Sequence, residues 1–118
     1  MDLQKLKAAG IDCDGALQRF MGSEELYARF LGRFLEDTHV QGAVLAMEKR
    51  DYKELQQQVH ALKGFTGTLG LDTIYQQACE IVIRLRNDET DGIEQYVTEL
   101  DEEKEKLFTV ITEVLSEL

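Results

Sequence analysis

The sequence contains no proline and no tryptophan in 118 residues. The missing proline removes the strongest helix breaker from the whole chain and favours helices throughout. Only two cysteines occur, Cys13 and Cys79, far apart and without the C-x-x-C or histidine spacing of a metal or redox site. They read as reduced thiols in a cytoplasmic setting, acting as small hydrophobes. No apolar run approaches the length that spans a bilayer, so no membrane insertion is expected. The opening residues Met1-Asp2-Leu3-Gln4-Lys5 lack the apolar stretch of a signal peptide. Positive charge is scarce: 13 Lys and Arg stand against 23 Asp and Glu, a net charge of −10. That balance argues against nucleic acid and anionic membrane surfaces as partners.

What is present is helical periodicity from end to end. The length suits one domain, residues 1–118. Leu3 and Leu6 suggest a short first helix stopped by Gly10. Leu17 and Phe20 suggest a second, capped by Asp14 and ended at Gly22. Neither is long enough to stand alone, and both are expected to cover one end of a bundle. Ser23, followed by Glu24 and Glu25, has the signature of a capped helix start. Leu26, Tyr27, Phe30, Leu31, Phe34 and Leu35 then form a broad core-facing stripe, with Gly32 on the other side. The polar stretch from Thr38 to Gly42 is expected to bend or interrupt this helix, leaving His39 solvated. Asp51-Tyr52-Lys53-Glu54 is a capping-box arrangement that starts the next helix, and Gly70 ends it. Asp72 is expected to cap a helix carrying Ile74, Tyr75, Ala78, Cys79, Val82 and Leu85. Asp91-Gly92-Ile93-Glu94 opens the last helix, with Ile93, Val97, Leu100, Leu107, Ile111 and Val114 on its stripe. The charges around Glu103-Lys104 interrupt that stripe and suggest a solvated stretch. Four long amphipathic helices with short turns predict an all-α fold: an antiparallel up-down-up-down four-helix bundle with a short N-terminal helical cap.

One segment carries unusual features. At 100° per residue, Leu55, Leu62 and Leu69 share a stripe flanked by Val59, Phe65 and Thr66, and His60 points away from it. Around His60 on the outer face lie Gln56 and Gln57 one turn before, then Lys63, Gly64 and Gly67. Each interior glycine costs a helix roughly 1 kcal/mol relative to alanine, so two beside one histidine imply a need for close approach by another molecule. Leu55 through Leu71 also contains no Asp or Glu, where average spacing would put about three. A face free of carboxylates with Lys63 at its centre suits an anionic group on His60. A neutral imidazole nitrogen is a competent phosphoryl acceptor near physiological pH. The sequence has no P-loop, no kinase-type glycine loop and no carboxylate cluster for Mg²⁺, so metal and positioned charge must come from a partner.

His60-Ala61-Leu62-Lys63-Gly64, with Gly70 following, resembles the signature of histidine-containing phosphotransfer (HPt) domains. Ser23-Glu24-Glu25-Leu26-Tyr27 through Phe34-Leu35-Glu36-Asp37 is similar to the helix preceding that signature, and Asp51-Tyr52 to its entry. The likeness thus covers most of the chain, although Phe65, Thr66 and Gly67 depart from the Ser/Ala-rich run common in the family. The resemblance implies a covalent phosphoryl carrier rather than an enzyme. His60 would be the phosphoacceptor, and Lys63 would hold or screen the phosphoryl charge. Gly64 and Gly67 would admit the partner's loops, and Gln56 and Gln57 would hydrogen-bond them. The implied partners are response regulator receiver domains and a sensor or hybrid histidine kinase. No cofactor of its own is implied, because the receiver binds the Mg²⁺. The alternatives are a non-catalytic helical adaptor and the phosphoacceptor domain of a chemotaxis-type kinase. The residues around Cys79-Glu80 do not resemble the latter.

Overall fold

The computed structural model describes residues Met1–Leu118 and is helical throughout. Seven helices follow in order: α1 Leu3–Ala8, α2 Cys13–Arg19, α3 Glu24–Leu35, α4 His39–Glu48, α5 Tyr52–Thr68, α6 Asp72–Arg86 and α7 Ile93–Ser116. The bundle is α4 to α7. Each of these packs on its chain neighbour, and α7 closes the ring against α4. Because the turns are short, neighbours run antiparallel. The other three helices lie at one end, where α1 and α3 pack on α7 and α2 joins them. One continuous hydrophobic cluster runs through all seven, from Leu6 to Val114.

The expected break after α3 falls at Glu36–Thr38, slightly earlier than the polar stretch suggests. It separates the two helices completely, so α3 lies outside the four-helix ring and α4 supplies its first member. The corner is held by Asp37, whose carboxylate accepts the His39 backbone N–H at 3.0 Å and meets the His39 ring Nδ1 at 2.6 Å. His39 is therefore a half-buried partner of Asp37 and not a freely solvated side chain. Nor is Gly32 on a free surface, since Leu115 of α7 lies within van der Waals reach of it.

Three expected caps are placed differently. Asp12, not Asp14, caps α2, its carboxylate accepting the Gly15 N–H at 3.0 Å. Asp72 is the first residue inside α6, and the cap position is Leu71, without a side-chain bond. Leu71 is buried there because it closes the turn that ends α5, so α6 starts with no room for a polar cap. At α7 the cap is Gly92 in the left-handed conformation, φ 79°, and Asp91 stays outside. The charged stretch of α7 also differs from expectation. Glu103 and Lys104 are each only 8 % exposed. The Lys104 ammonium lies over the Phe108 ring, 5.2 Å from its centroid, and reaches Glu105, while Glu103 meets Lys106. Long charged side chains can pack on apolar surface while their heads find partners, which lets the stripe continue through these residues. The α3–α4 corner lies beside them, with Leu35, Asp37 and Gln41 lining the same surface hollow as Lys104.

The N-terminal helices do more than cover an end. They satisfy the C-terminus of α5, where a helix leaves its last carbonyls without partners. Gly70, φ 75°, allows the Leu71 N–H to reach Thr66 O at 3.1 Å and its own N–H to reach Gly67 O at 3.3 Å. Arg19 Nε donates to Thr68 O and its Nη2 to Gly67 O, both at 3.0 Å. The Tyr27 hydroxyl donates to Leu69 O at 2.8 Å, and the Asp12 N–H to Gly70 O at 2.8 Å. The last turn of α5 is thus closed by α2 and α3.

Tyr27 is fully buried, and burial pushes its hydroxyl well above the ordinary tyrosine range. The folded state favours the neutral phenol. This contribution to stability is complete below the ordinary tyrosine pKa of about 10 and is lost as pH rises beyond it. Tyr27→Phe should therefore have two effects in denaturant titrations. At pH 7 the unsatisfied Leu69 carbonyl should cost about 1–2 kcal/mol. Above pH about 10 the variant should lose stability less steeply than the parent; equal slopes would show that Tyr27 does not titrate with unfolding.

Candidate functional site

The site is built on α5. The Asp51 carboxylate accepts the Glu54 N–H at 3.1 Å and starts the helix. Glu54 does not return the bond, because its carboxylate accepts from Gln58 Nε2 at 2.9 Å instead. Leu55, Val59, Leu62, Thr66 and Leu69 are completely buried and fix the rotation of the helix against the bundle. Thr66 tolerates burial because its hydroxyl donates to Leu62 O at 2.9 Å within the same helix. With that face committed to the core, His60 is exposed on the opposite side. The histidine ring hydrogen bond in this chain is that of His39; the His60 ring makes none, so its nitrogens are free for an incoming group.

Two shallow hollows follow one another along the exposed face of α5. The first is lined by Lys53, Gln56, Gln57, His60 and Ala61. The second includes Lys63, Gly64, Gly67 and Thr68, joined by Arg19 from α2 and by Tyr75 and Asp72 from α6. The structure thus brings all six expected residues, His60, Lys63, Gln56, Gln57, Gly64 and Gly67, onto one face. Gln57 and Gly64 are exposed; Gln56, Lys63 and Gly67 are half-buried.

The two glycines play different parts. A Cβ at Gly64 would meet nothing within 4 Å. The space above it is open, as close approach by a partner requires. A Cβ at Gly67 would stand 3.0 Å from two carbons of the Tyr75 ring. Gly67 therefore serves the close packing of α6 on α5, and the expectation that it clears space for a partner is corrected. Its vacancy is filled from within. The Cys79 side chain, one turn on, raises the Tyr75 hydroxyl above the usual phenol range.

Several lysines and arginines of the chain are drawn into ion pairs, such as Lys5 with Glu113 and Glu117, Lys7 with Asp14, and Arg84 with Glu80 and Glu89. Lys53, Lys63 and Arg19 have no carboxylate within 4.0 Å. In a chain of net charge −10, the His60 face keeps its cations unneutralised. That arrangement favours a doubly charged anion on the ring and an acidic surface above it.

Residues 29–109 match the Hpt domain family. The chain belongs to that family. Searches of curated proteins and of solved structures returned no match. The matched segment runs from within α3 to within α7, so it contains all of α4, α5 and α6. Hpt domains are phosphocarrier modules of two-component signalling, and histidine phosphotransfer is their chemistry. They work with receiver domains and kinases in phosphorelays. No helix of this Hpt domain is long and apolar enough to cross a membrane.

Two residues of this face are not among those expected from the sequence. Lys53 lies two turns before His60 on nearly the same angular position, and extending the helical wheel by one more turn would have found it. Arg19 had no local signal. It sits outside the matched segment, on a different helix, and reaches the face only because α2 caps α5.

Proposed function

We propose that this Hpt domain is the histidine intermediate of a multistep phosphorelay: His60 accepts a phosphoryl group from the aspartyl phosphate of one receiver domain and passes it to another. A lone pair of the neutral imidazole forms the P–N bond as the P–O bond to the receiver's aspartyl carboxyl breaks, and the carboxylate leaves with the bonding electrons. Transfer to the second receiver reverses these changes at a new aspartate. The transition state is loose and spreads charge over the equatorial oxygens. Mg²⁺ bound by the receiver would neutralise that charge. From this chain, Lys63, one turn from His60, adds electrostatic stabilisation, and Gln56 and Gln57 hydrogen-bond the receiver's loops. The relay is placed in the cytoplasm.

The observation that carries this reading is the exposed His60 ring on a carboxylate-free helix face, one turn from the open position at Gly64. An adaptor that only docks would need neither the free ring nor the unneutralised cations. The test is transfer profiling. Purified receivers, phosphorylated on aspartate, are incubated with the domain and scored for rapid label transfer, in parallel with an ATP-charged kinase core. Fast labelling from receivers supports the relay role. Labelling from a kinase core alone would instead assign the domain to direct kinase phosphorylation.

A further inference from the structure

Arg19 is an exposed cation held in a fixed direction, and its charge is not spent on a carboxylate. Two of its N–H groups are tied to Thr68 O and Gly67 O. A guanidinium carries five donors, so three remain free, and Arg19 lines the hollow that also contains Lys63 and Gly64. An arginine anchored by one edge loses less freedom on binding than a free one, which makes it a pre-organised contact.

Its distance from the chemistry decides what it can touch. At 1.5 Å per residue, Lys63 stands about 4.5 Å from His60 along the helix axis, whereas Gly67 and Thr68 stand about 11–12 Å away. Arg19 is therefore out of reach of a phosphoryl group on His60. It is well inside a docking footprint, because a standard interface covering about 800 Å² per partner extends about 16 Å from its centre. The same hollow has Asp12 and Asp72 at its edge. A partner carboxylate entering the hollow must therefore be held by Arg19 and Lys63 against these two charges.

We propose that Arg19 is a partner-reading residue: it pairs with a carboxylate on the docked receiver domain, and α2 thereby adds to the docking face a contact from outside the matched family segment. This rests on the phosphorelay reading above. Arg19 acts on recognition and not on the transfer step.

The experiment measures transfer from a phosphorylated receiver over a range of receiver concentrations, for the parent, Arg19→Gln, Arg19→Glu and Arg19→Lys. Loss of one charged hydrogen-bonded contact should raise the half-saturating receiver concentration about tenfold in Arg19→Gln. Arg19→Glu should raise it further, while the rate at saturation stays at the parent value in both. Arg19→Lys, which keeps the charge, should recover most of the affinity, and the salt dependence of binding should be weaker in Arg19→Gln than in the parent. A role confined to capping α5 predicts otherwise: Arg19→Lys and Arg19→Gln would lower the thermal midpoint alike and leave the salt dependence unchanged. That result overturns the proposal, as does an unchanged half-saturating concentration, and in both cases a parent domain still labelled on His60 leaves the relay reading intact. A parent domain that accepts label from no receiver overturns both.

Discussion

His60→Gln is expected to abolish phosphoryl acceptance completely. With a phosphorylated receiver, the parent domain should yield an adduct that is labile in acid and stable in base, as a P–N bond to imidazole requires, and the variant should yield none. Glutamine keeps the size and polarity of the side chain but has no nucleophilic ring nitrogen. Because His60 is exposed and makes no ring hydrogen bond, the substitution should change folding stability by no more than about 0.5 kcal/mol. Loss of label would then report chemistry and not unfolding. The other histidine cannot substitute. His39 is half-buried, with its Nδ1 held 2.6 Å from Asp37 at the α3–α4 corner. Mass spectrometry of the labelled domain should place the adduct on His60 alone, and label on His39, or retained in His60→Gln, would refute the assignment.

Gly64→Ala is expected to make the domain more stable and less active. The added methyl meets nothing within 4 Å, so the variant keeps the full helical advantage of alanine, roughly 1 kcal/mol. For a domain of this size that raises the thermal midpoint by roughly 4 °C. The same methyl stands one turn from His60 where the receiver must approach, so transfer should slow, and Gly64→Gln should slow it at least tenfold more. Gly67→Ala provides the contrast. Its methyl would press on the Tyr75 ring at 3.0 Å, so the packing of α6 on α5 must shift and the helical gain should be cancelled or reversed. A thermal midpoint that rises equally in both variants would show that Tyr75 yields without cost. A wild-type transfer rate in Gly64→Ala would show that the open space there is not used.

Much of the site was legible because a helix imposes local order. Once Asp51 starts the helix and the leucines set its buried stripe, the directions of Gln56, Gln57, His60, Lys63 and Gly64 follow from the 100° step alone. The lack of Asp and Glu between Leu55 and Leu71 is likewise a property of the sequence, and it survives folding as a face whose cations stay unpaired. The misreadings share a cause. Asp14, Asp72 and Asp91 were all suitable caps by residue type, but the cap position depends on where the preceding turn lets the chain go. At Leu71 that is decided by burial, and at Gly92 by a left-handed backbone. Glu103 and Lys104 read as a solvated gap because charge predicts exposure, yet both are buried, Lys104 beside the α3–α4 corner.

The sequence by itself determined the all-α class, the bundle and the outward histidine, because these rest on periodicity within single helices and on burial of their apolar stripes. Only the tertiary structure decided which glycine is open and which is filled, since Tyr75 reaches Gly67 from another helix. It alone decided that α3 leaves the ring, and that Arg19 and Tyr27 close the end of the histidine helix. The Arg19 and Tyr27 contacts join residues more than forty positions apart. No helical period relates them, and they exist only where two packed helices bring a carbonyl and a donor to the same point.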